Sequence, residues 1–450
     1  MKLPVSHQYD VICRGGSLGP LLAALLLARK GKNVLLLPAA EDAGGFSPFL
    51  LPVAAGVPLD ILTSENLLDG AVTETPGNWF SWTDGTHDFS CPSATDDRRR
   101  AFAMLMADDY PARKQHWALF EDIWQVIDRI MGDGLMIPPM TLKDHGKILQ
   151  QLVKNRVLLD NRSRGIASLL TDSGISPWLH TFVSSFVSLI SLYCYQNLPL
   201  LSFAYGFATL FQEARYVNID RLQEAVHHAI LDCGGVLSST DYQVVFDGKW
   251  YIGIGNAGKA QIRSRSFIAD SDETMLAREI PPVHQRRDFF RQYAHRQPGR
   301  VVKHLQCMFP EQSGMVAGRQ RRYVFEPGRE NELYLLTAGQ EAAGKNSMDL
   351  YWWESDAKNN DNRWAPALLQ RLTGVKPGRM TLCSSTGNPV KRWGYQPRLS
   401  PVMGAAFVPI NSVYKNFYQV GWETLPGFGL GGVVYGAKMT AEKIATSEYL

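Results

Sequence analysis

Tyr9-Asp10-Val11-Ile12-Cys13-Arg14-Gly15-Gly16-Ser17-Leu18-Gly19-Pro20 is followed by an apolar run over 21–29, a polar Lys30-Gly31-Lys32-Asn33 and a second apolar run, Val34-Leu35-Leu36-Leu37. Residues 9–13 are rich in β-formers, 15–19 read as a glycine turn, 21–29 as a buried helix and 34–37 as a buried strand. Strand, glycine turn, helix and parallel strand within about 30 residues make the βαβ unit of a dinucleotide-binding sheet. The chain therefore opens as α/β.

Beyond that unit, helical patterns dominate from about 62 to 200. Trp117, Phe120, Ile123, Trp124, Ile127 and Ile130 recur at spacings of three and four and give one apolar face. A second α/β passage follows. Residues 220–232 read as a helix with Asp220 and Gln223 as a capping box and Gly234-Gly235 as its stop. Apolar runs at 241–246 and 249–254 flank Asp247-Gly248 and predict a hairpin. Mixed strands and loops occupy the region after 272, and the last forty residues return to strand (416–420), glycine turn (421–432) and helix (433–444). No internal repeat and no low-complexity tract is evident.

Composition narrows the function. The chain has 450 residues, 45% of them apolar, and 46 basic against 43 acidic residues leave a net charge of +3. Near-neutrality argues against a nucleic-acid binder, which needs a concentrated basic face. Six scattered cysteines with no CxxC pair argue against a zinc ribbon or disulfide framework, and point to a reducing, cytoplasmic setting. No apolar h-region with a small-residue cleavage site follows Met1, so no signal peptide is expected. From 173 to 212 there is no Asp, Glu, Lys or Arg. Serines, Asn197 and Pro199 interrupt the run, which predicts a buried helix pair rather than a membrane span. A wall of an apolar substrate cavity, or a surface touching a membrane peripherally, is the alternative.

A nucleotide-binding unit at each end with inserted segments between them resembles the flavoprotein superfamily that includes amine oxidases and phytoene desaturases. Four segments carry the resemblance: 9–37; Gly44-Gly45 with Gly56-Val57-Pro58-Leu59-Asp60; 220–272; and 416–444, where Gly421, Pro426, Gly427, Gly429 and Gly432 look like the closing flavin motif. The resemblance implies a Rossmann-like FAD/NAD(P)-binding domain built from 1–62, 201–275 and 406–450. It implies an inserted mixed α+β substrate domain from 63–200 and 276–405. The implied cofactor is FAD, held by Arg14, Gly15, Gly16, Ser17, Gly19, Gly44, Gly45, Gly421, Gly427, Gly429 and Gly432.

The opening turn departs from the family's G-x-G-x-x-G. Gly15 is present, but Ser17 stands at the second glycine and Pro20 at the third. Ser17 either obstructs the diphosphate or donates a hydroxyl to it, while Pro20 is tolerated in a first helical turn. At the end of the second strand, where the family has an acidic residue for the adenosine ribose, this chain has Pro38. Losing that acceptor costs about 1.5 to 3 kcal/mol for each hydrogen bond to a charged group. Arg14, just before the turn, either offsets this by pairing with a phosphate or meets a carboxylate or solvent.

The remaining candidates read as structural. His227-His228 diverge by about 100° on a helix and cannot share a metal. Arg286-Arg287 and Arg319-Gln320-Arg321-Arg322 read as solvated faces, and Tyr351-Trp352-Trp353 and Trp393-Gly394-Tyr395 as packing aromatics or an aromatic wall. No nucleophilic triad or acid–base set is visible, as suits chemistry carried by a cofactor. Two readings follow. One is a flavin-dependent oxidoreductase acting on a hydrophobic, isoprenoid- or lipid-like molecule; the other is a flavin-free relative that carries a lipid or a protein partner.

Overall fold

The computed structural model describes residues 7–37, 52–72, 78–83, 86–105, 110–137, 139, 141–168, 180–183, 186, 198–238, 240, 242–246, 250–254, 260–270, 370, 416–421, 424–425 and 428–447, with the backbone of 296–309, 321–326, 332–340, 346–354, 381–384 and 390–395. Two large sheets organise them. The first contains β1 (His7–Arg14), β2 (Val34–Leu37), β7 (Val236–Leu237), β8 (Gln243–Phe246), β9 (Tyr251–Ile254), β10 (Ala260–Asp270) and β17 (Phe417–Val420). Their order is β7-β2-β1-β10-β9-β8, with β17 also on β10. The fold is thus α/β with a Rossmann-like parallel core, to which early, middle and late segments all contribute strands.

β10 is the hub. One flank runs parallel to β1 along its length, from His7 opposite Ile262 to Arg14 opposite Ala269. The other flank changes partner midway: its first half pairs antiparallel with β9 and its second half parallel with β17. The β8–β9 hairpin predicted around Asp247-Gly248 is present, with Phe246 opposite Tyr251.

Strand alternation sorts the core to two faces. Val11 and Cys13 join the larger cluster, with α1 (Leu18–Arg29), while Ile12 joins Leu35, Leu37, Val244, Tyr251, Phe267 and Phe417 opposite. Leu18 to Ala28 are all buried, as in a helix apolar all round. α1 lies against α8 (Ile219–Asp232), α9 (Gly429–Ser447) and β17.

α8 begins two residues before its sequence signature suggests. Its cap is Asn218, whose side chain accepts from the Arg221 N–H. Gln223 instead serves the glycine turn, as described below. The stop at Gly234 is as read: Gly234 has φ +83°, and the Gly234 and Gly235 N–H groups return to Leu231 and Ile230.

The second sheet corrects the helical reading of 62–200. β4 (Asn78–Thr83) and β5 (Asp88–Pro92) form a hairpin there, and β4 pairs parallel with β12 (Arg321–Glu326). The remaining strands are β11 (Arg296–Phe309), β13 (Glu332–Gln340), β14 (Asn346–Glu354), β15 (Thr381–Ser384) and β16 (Val390–Tyr395), in the order β15-β11-β14-β13-β12-β4-β5 with β16 also on β11. The missed sign is the alternation of β5, where Phe89 and Cys91 are buried between exposed Asp88 and Ser90; β4 buries Trp79, Phe80, Trp82 and Thr83. A third, minimal sheet pairs β3 (Val53–Ala54) with β6 (Arg215–Tyr216).

The helices between are α2 (Gly56–Ser64), α3 (Thr95–Leu105), α4 (Tyr110–Gly132), α5 (Leu142–Lys154), α6 (Arg156–Asn161) and α7 (Leu200–Thr209). On α4 the predicted face is in place, with Phe120, Ile123, Ile127 and Ile130 buried and Trp117 and Trp124 packed beside them. All ten residues of α7 are buried. Its Phe203 and Phe207 meet Phe120, and Phe207 also meets Phe102 and Phe186, at centroid separations of 5.3 to 5.8 Å. The described part of the uncharged 173–212 stretch is therefore filled core; its residues 173–179, 184–185 and 187–197 lie outside the described ones. No helix among the described residues is long and apolar enough to cross a membrane.

Arg98 fastens this lobe. It is fully buried and donates to the carbonyls of Pro92, Ser93, Leu210 and Gln212, with its guanidinium 3.8 Å from the Trp79 ring centroid. Burial lowers its pKa to about 10, and raises that of neighbouring Cys91 to about 12.

Candidate functional site

Parallel pairing brings both glycine turns to one edge of the first sheet. Arg14, Ala269 and Gln419 lie in a single row across β1, β10 and β17. Gly15 and Gly421 thus leave the sheet within a residue of the same level, at the carboxyl ends of parallel strands, where ligands of open α/β sheets bind. A Cβ on Gly19 would stand 3.0 Å from the Val420 carbonyl oxygen. The first turn of α1 therefore rests directly on the end of β17.

Each residue of the opening turn has a distinct physical duty. Gly15 has φ +130°, which an L side chain rarely adopts. Gly16 is exposed, and its carbonyl accepts from the Gln223 side chain at 3.0 Å, so α8 braces the turn. The close helix–strand approach expected at the third glycine position falls to Gly19, one residue earlier than the motif, which frees position 20 for proline.

That proline has a consequence for Ser17. An N-cap hydroxyl ordinarily accepts from the N–H two or three residues on. Here the third is Pro20, which has none. Ser17 makes no capping bond, and its Oγ is buried without a partner among the described residues. An orphaned hydroxyl costs about 1 to 3 kcal/mol. It sits beside first-turn N–H groups that no helix can satisfy internally, a setting that favours an anion.

Arg14 points elsewhere. Its guanidinium donates to the Tyr242 carbonyl, beside the smaller apolar cluster rather than α1. The alternation that places Ile12 on that face carries Arg14 there two residues later. Pro38, Gly44 and Gly45 lie outside the described residues.

The closing turn is packed against itself. The Thr424 hydroxyl donates to the Gly421 carbonyl at 2.7 Å, and Gly429 has φ +59° with open space around it. A Cβ on Gly432 would meet Phe428 Cβ at 2.8 Å and the Leu425 carbonyl at 2.9 Å; one on Gly431 would meet Pro58 of α2 at 3.2 Å. The space at Gly432, part of what resembles the closing flavin motif, is taken by the turn's own residues. Pro426 and Gly427 lie outside the described residues.

Around this turn stands a ladder of rings that sequence reasoning missed. Phe428 stacks on Tyr205 at 4.7 Å and Tyr205 on Trp124 at 6.2 Å, joining the turn to α7 and α4. Asp128 was missed too. Its carboxylate on α4 accepts from the Val57 N–H at 2.9 Å and caps α2, and the close fit requires glycine at 56, where φ is +57° and a Cβ would clash with Oδ1 at 2.3 Å. Burial raises the Asp128 pKa; the Val57 bond opposes this and Asp60 reinforces it. A carboxylate beside Ile127 on the apolar arc of α4 was the available sequence clue.

The other candidates behave as ordinary residues. Burial, then His228, lowers the His227 pKa. No group of three or more His, Cys, Asp or Glu among the described residues could hold a metal ion. Arg321, Arg322, Tyr351, Trp352, Trp353, Trp393 and Tyr395 fall in strands of the second sheet, and Arg286, Arg287, Arg319 and Gln320 lie outside the described residues.

No family model matches this chain, and no curated protein does. Solved structures do match over nearly the whole length. Cyclohexylamine oxidase from Brevibacterium oxydans is 17% identical, with a TM-score of 0.58, over 98% of this chain and 100% of that one. An oxidoreductase from Methanosarcina mazei is 14% identical, with a TM-score of 0.58, over 96% and 100%. Putrescine oxidase bound to putrescine is 12% identical, with a TM-score of 0.58, over 99% and 100%. The fold is the one these amine oxidases share, in keeping with the resemblance the glycine turns carry; identities this low speak for fold alone.

Proposed function

We propose that this chain is a flavin-dependent oxidoreductase that takes FAD at the two glycine turns and a hydride from a hydrophobic, isoprenoid- or lipid-like substrate. The observation that carries the reading is the shared row of Arg14, Ala269 and Gln419, which brings the 15–19 and 421–432 turns to one sheet edge. The residues present fit a dinucleotide. The first-turn N–H groups of α1 and the orphaned Ser17 hydroxyl would hold the diphosphate, and Gly421 and Gly429 would border the flavin side. Bound FAD would supply the hydride acceptor, which accords with the lack of an acid–base set.

In this reading 1–62, 201–275 and 406–450 form the nucleotide part, and 63–200 and 276–405 the substrate part. The apolar substrate class rests on the uncharged composition of 173–212 alone, since its described residues pack as core; the amines named for the related folds are the competing class.

The test is spectroscopic. Purified protein should be yellow, with the two visible flavin bands, or become so with added FAD. Anaerobic mixing with a polyene or with a primary amine then shows which one bleaches the flavin. Colourless protein that takes up no FAD removes the reading and leaves a flavin-free carrier of a lipid or protein. Pro38→Glu, restoring the ribose acceptor, should tighten FAD about tenfold or more.

A further inference from the structure

We propose that α5 docks this protein on an anionic lipid surface, an interaction separate from the flavin reading and independent of it. α5 begins with the capping box that α8 lacks: Thr141 and Asp144 exchange hydrogen bonds, which fixes the helix start. Only Ile148 and Leu152 of α5 are buried. Leu142 is 92% exposed, Leu149 55% and Val153 66%, three of the seven large apolar side chains found in solvent among the described residues.

The wheel makes these one surface. At about 100° per residue, Leu142, Leu149 and Val153 fall within an arc of about 40°, with Gly146 at its margin. The buried pair, Ile148 and Leu152, begins about 60° to one side. Lys143, Lys154 and Lys147 stand at about 80° to 120° on the other side. Exposed His145 separates the buried pair from the stripe and exposed Gln150 stands between the stripe and Lys143, so α5 carries in solvent a second, separate apolar stripe flanked by a row of lysines. All three lysines are exposed, and none has an ion pair among the described residues. Asp144, the one carboxylate on the helix, lies on the far side and is engaged by Thr141.

Charge complementarity selects the occupant. A capped helix with an open apolar stripe and lysines along one border has the form of an interfacial helix, whose stripe enters the acyl boundary while its cations meet lipid phosphates. A second copy packed stripe to stripe would bring identical lysine rows near one another.

Co-sedimentation of the full chain with phosphatidylcholine vesicles, with and without phosphatidylglycerol, tests this. Binding should be at least tenfold stronger to the anionic vesicles and should weaken with salt. Lys143→Gln, Lys147→Gln and Lys154→Gln should each lower it about fivefold. Leu149→Glu with Val153→Glu should lower it tenfold or more, with the circular dichroism unchanged because both side chains face solvent. No vesicle binding, equal binding to neutral vesicles, or undiminished binding by the Leu149/Val153 variant overturns the proposal. So does a variant that changes only the oligomeric state, which would make the stripe a contact between copies.

Discussion

The two glycine turns leave the same edge of one sheet, yet they use glycine for opposite ends. At the opening turn glycine shapes the backbone, at Gly15, and lets a helix lie on a strand, at Gly19, while the Ser17 hydroxyl has no partner among the described residues. At the closing turn the space glycine leaves is filled at Gly432 by the turn's own Phe428 and Leu425 and at Gly431 by Pro58 of α2, and it stays open at Gly429. One turn leaves a hydroxyl without a partner among the described residues, and the other uses up most of its room. Similar composition therefore predicts different responses to mutation.

The largest difference should come from Gly432→Ala, where the new methyl meets a Cβ and a carbonyl inside 3.0 Å. A loss of about 3 kcal/mol in urea unfolding is expected, because overpacking a closed site forces backbone movement. A loss near zero would show that the closing turn is open. Gly15→Ala should cost about 2 kcal/mol through its backbone conformation, and FAD binding should fall with it.

Ser17→Ala separates the turns most sharply. Removing an orphaned hydroxyl should stabilise the flavin-free protein by about 1 kcal/mol while weakening FAD about fivefold. Stability and affinity moving in the same direction would deny the hydroxyl a ligand role.

The smallest effect is the pH dependence at Asp128, beside the closing turn. Its folded pKa is raised, so the stability it contributes is fully present below the ordinary carboxylate pKa and lost as pH rises through the folded value. Asp128→Asn should be more stable than the native protein at neutral pH, with the gap closing on acidification. Urea midpoints measured across that range check the sign.

The legible parts were those in which neighbours in the chain are neighbours in space. The 9–37 unit, the Gly234 stop, the 243–254 hairpin and the α4 face follow from local periodicity and turn chemistry. The β4–β5 hairpin was legible in the alternation of β5 and was overlooked among helical patterns. Asn218 was missed as a cap because Asp220 and Gln223 imitate a capping box, and only the fold shows Gln223 engaged with Gly16 across 207 residues.

The sequence by itself determined an α/β chain with glycine turns near both ends, because a left-handed glycine and an apolar period are properties of a short segment. Tertiary structure alone decided that β10 joins β1 to β17, that Gly19 rather than residue 20 makes the close approach, that Arg14 faces away from α1, and that Ser17 finds no partner among the described residues. These depend on which strand lies beside which. Pairing between segments hundreds of residues apart is set by the packing of the whole core, which no local pattern encodes.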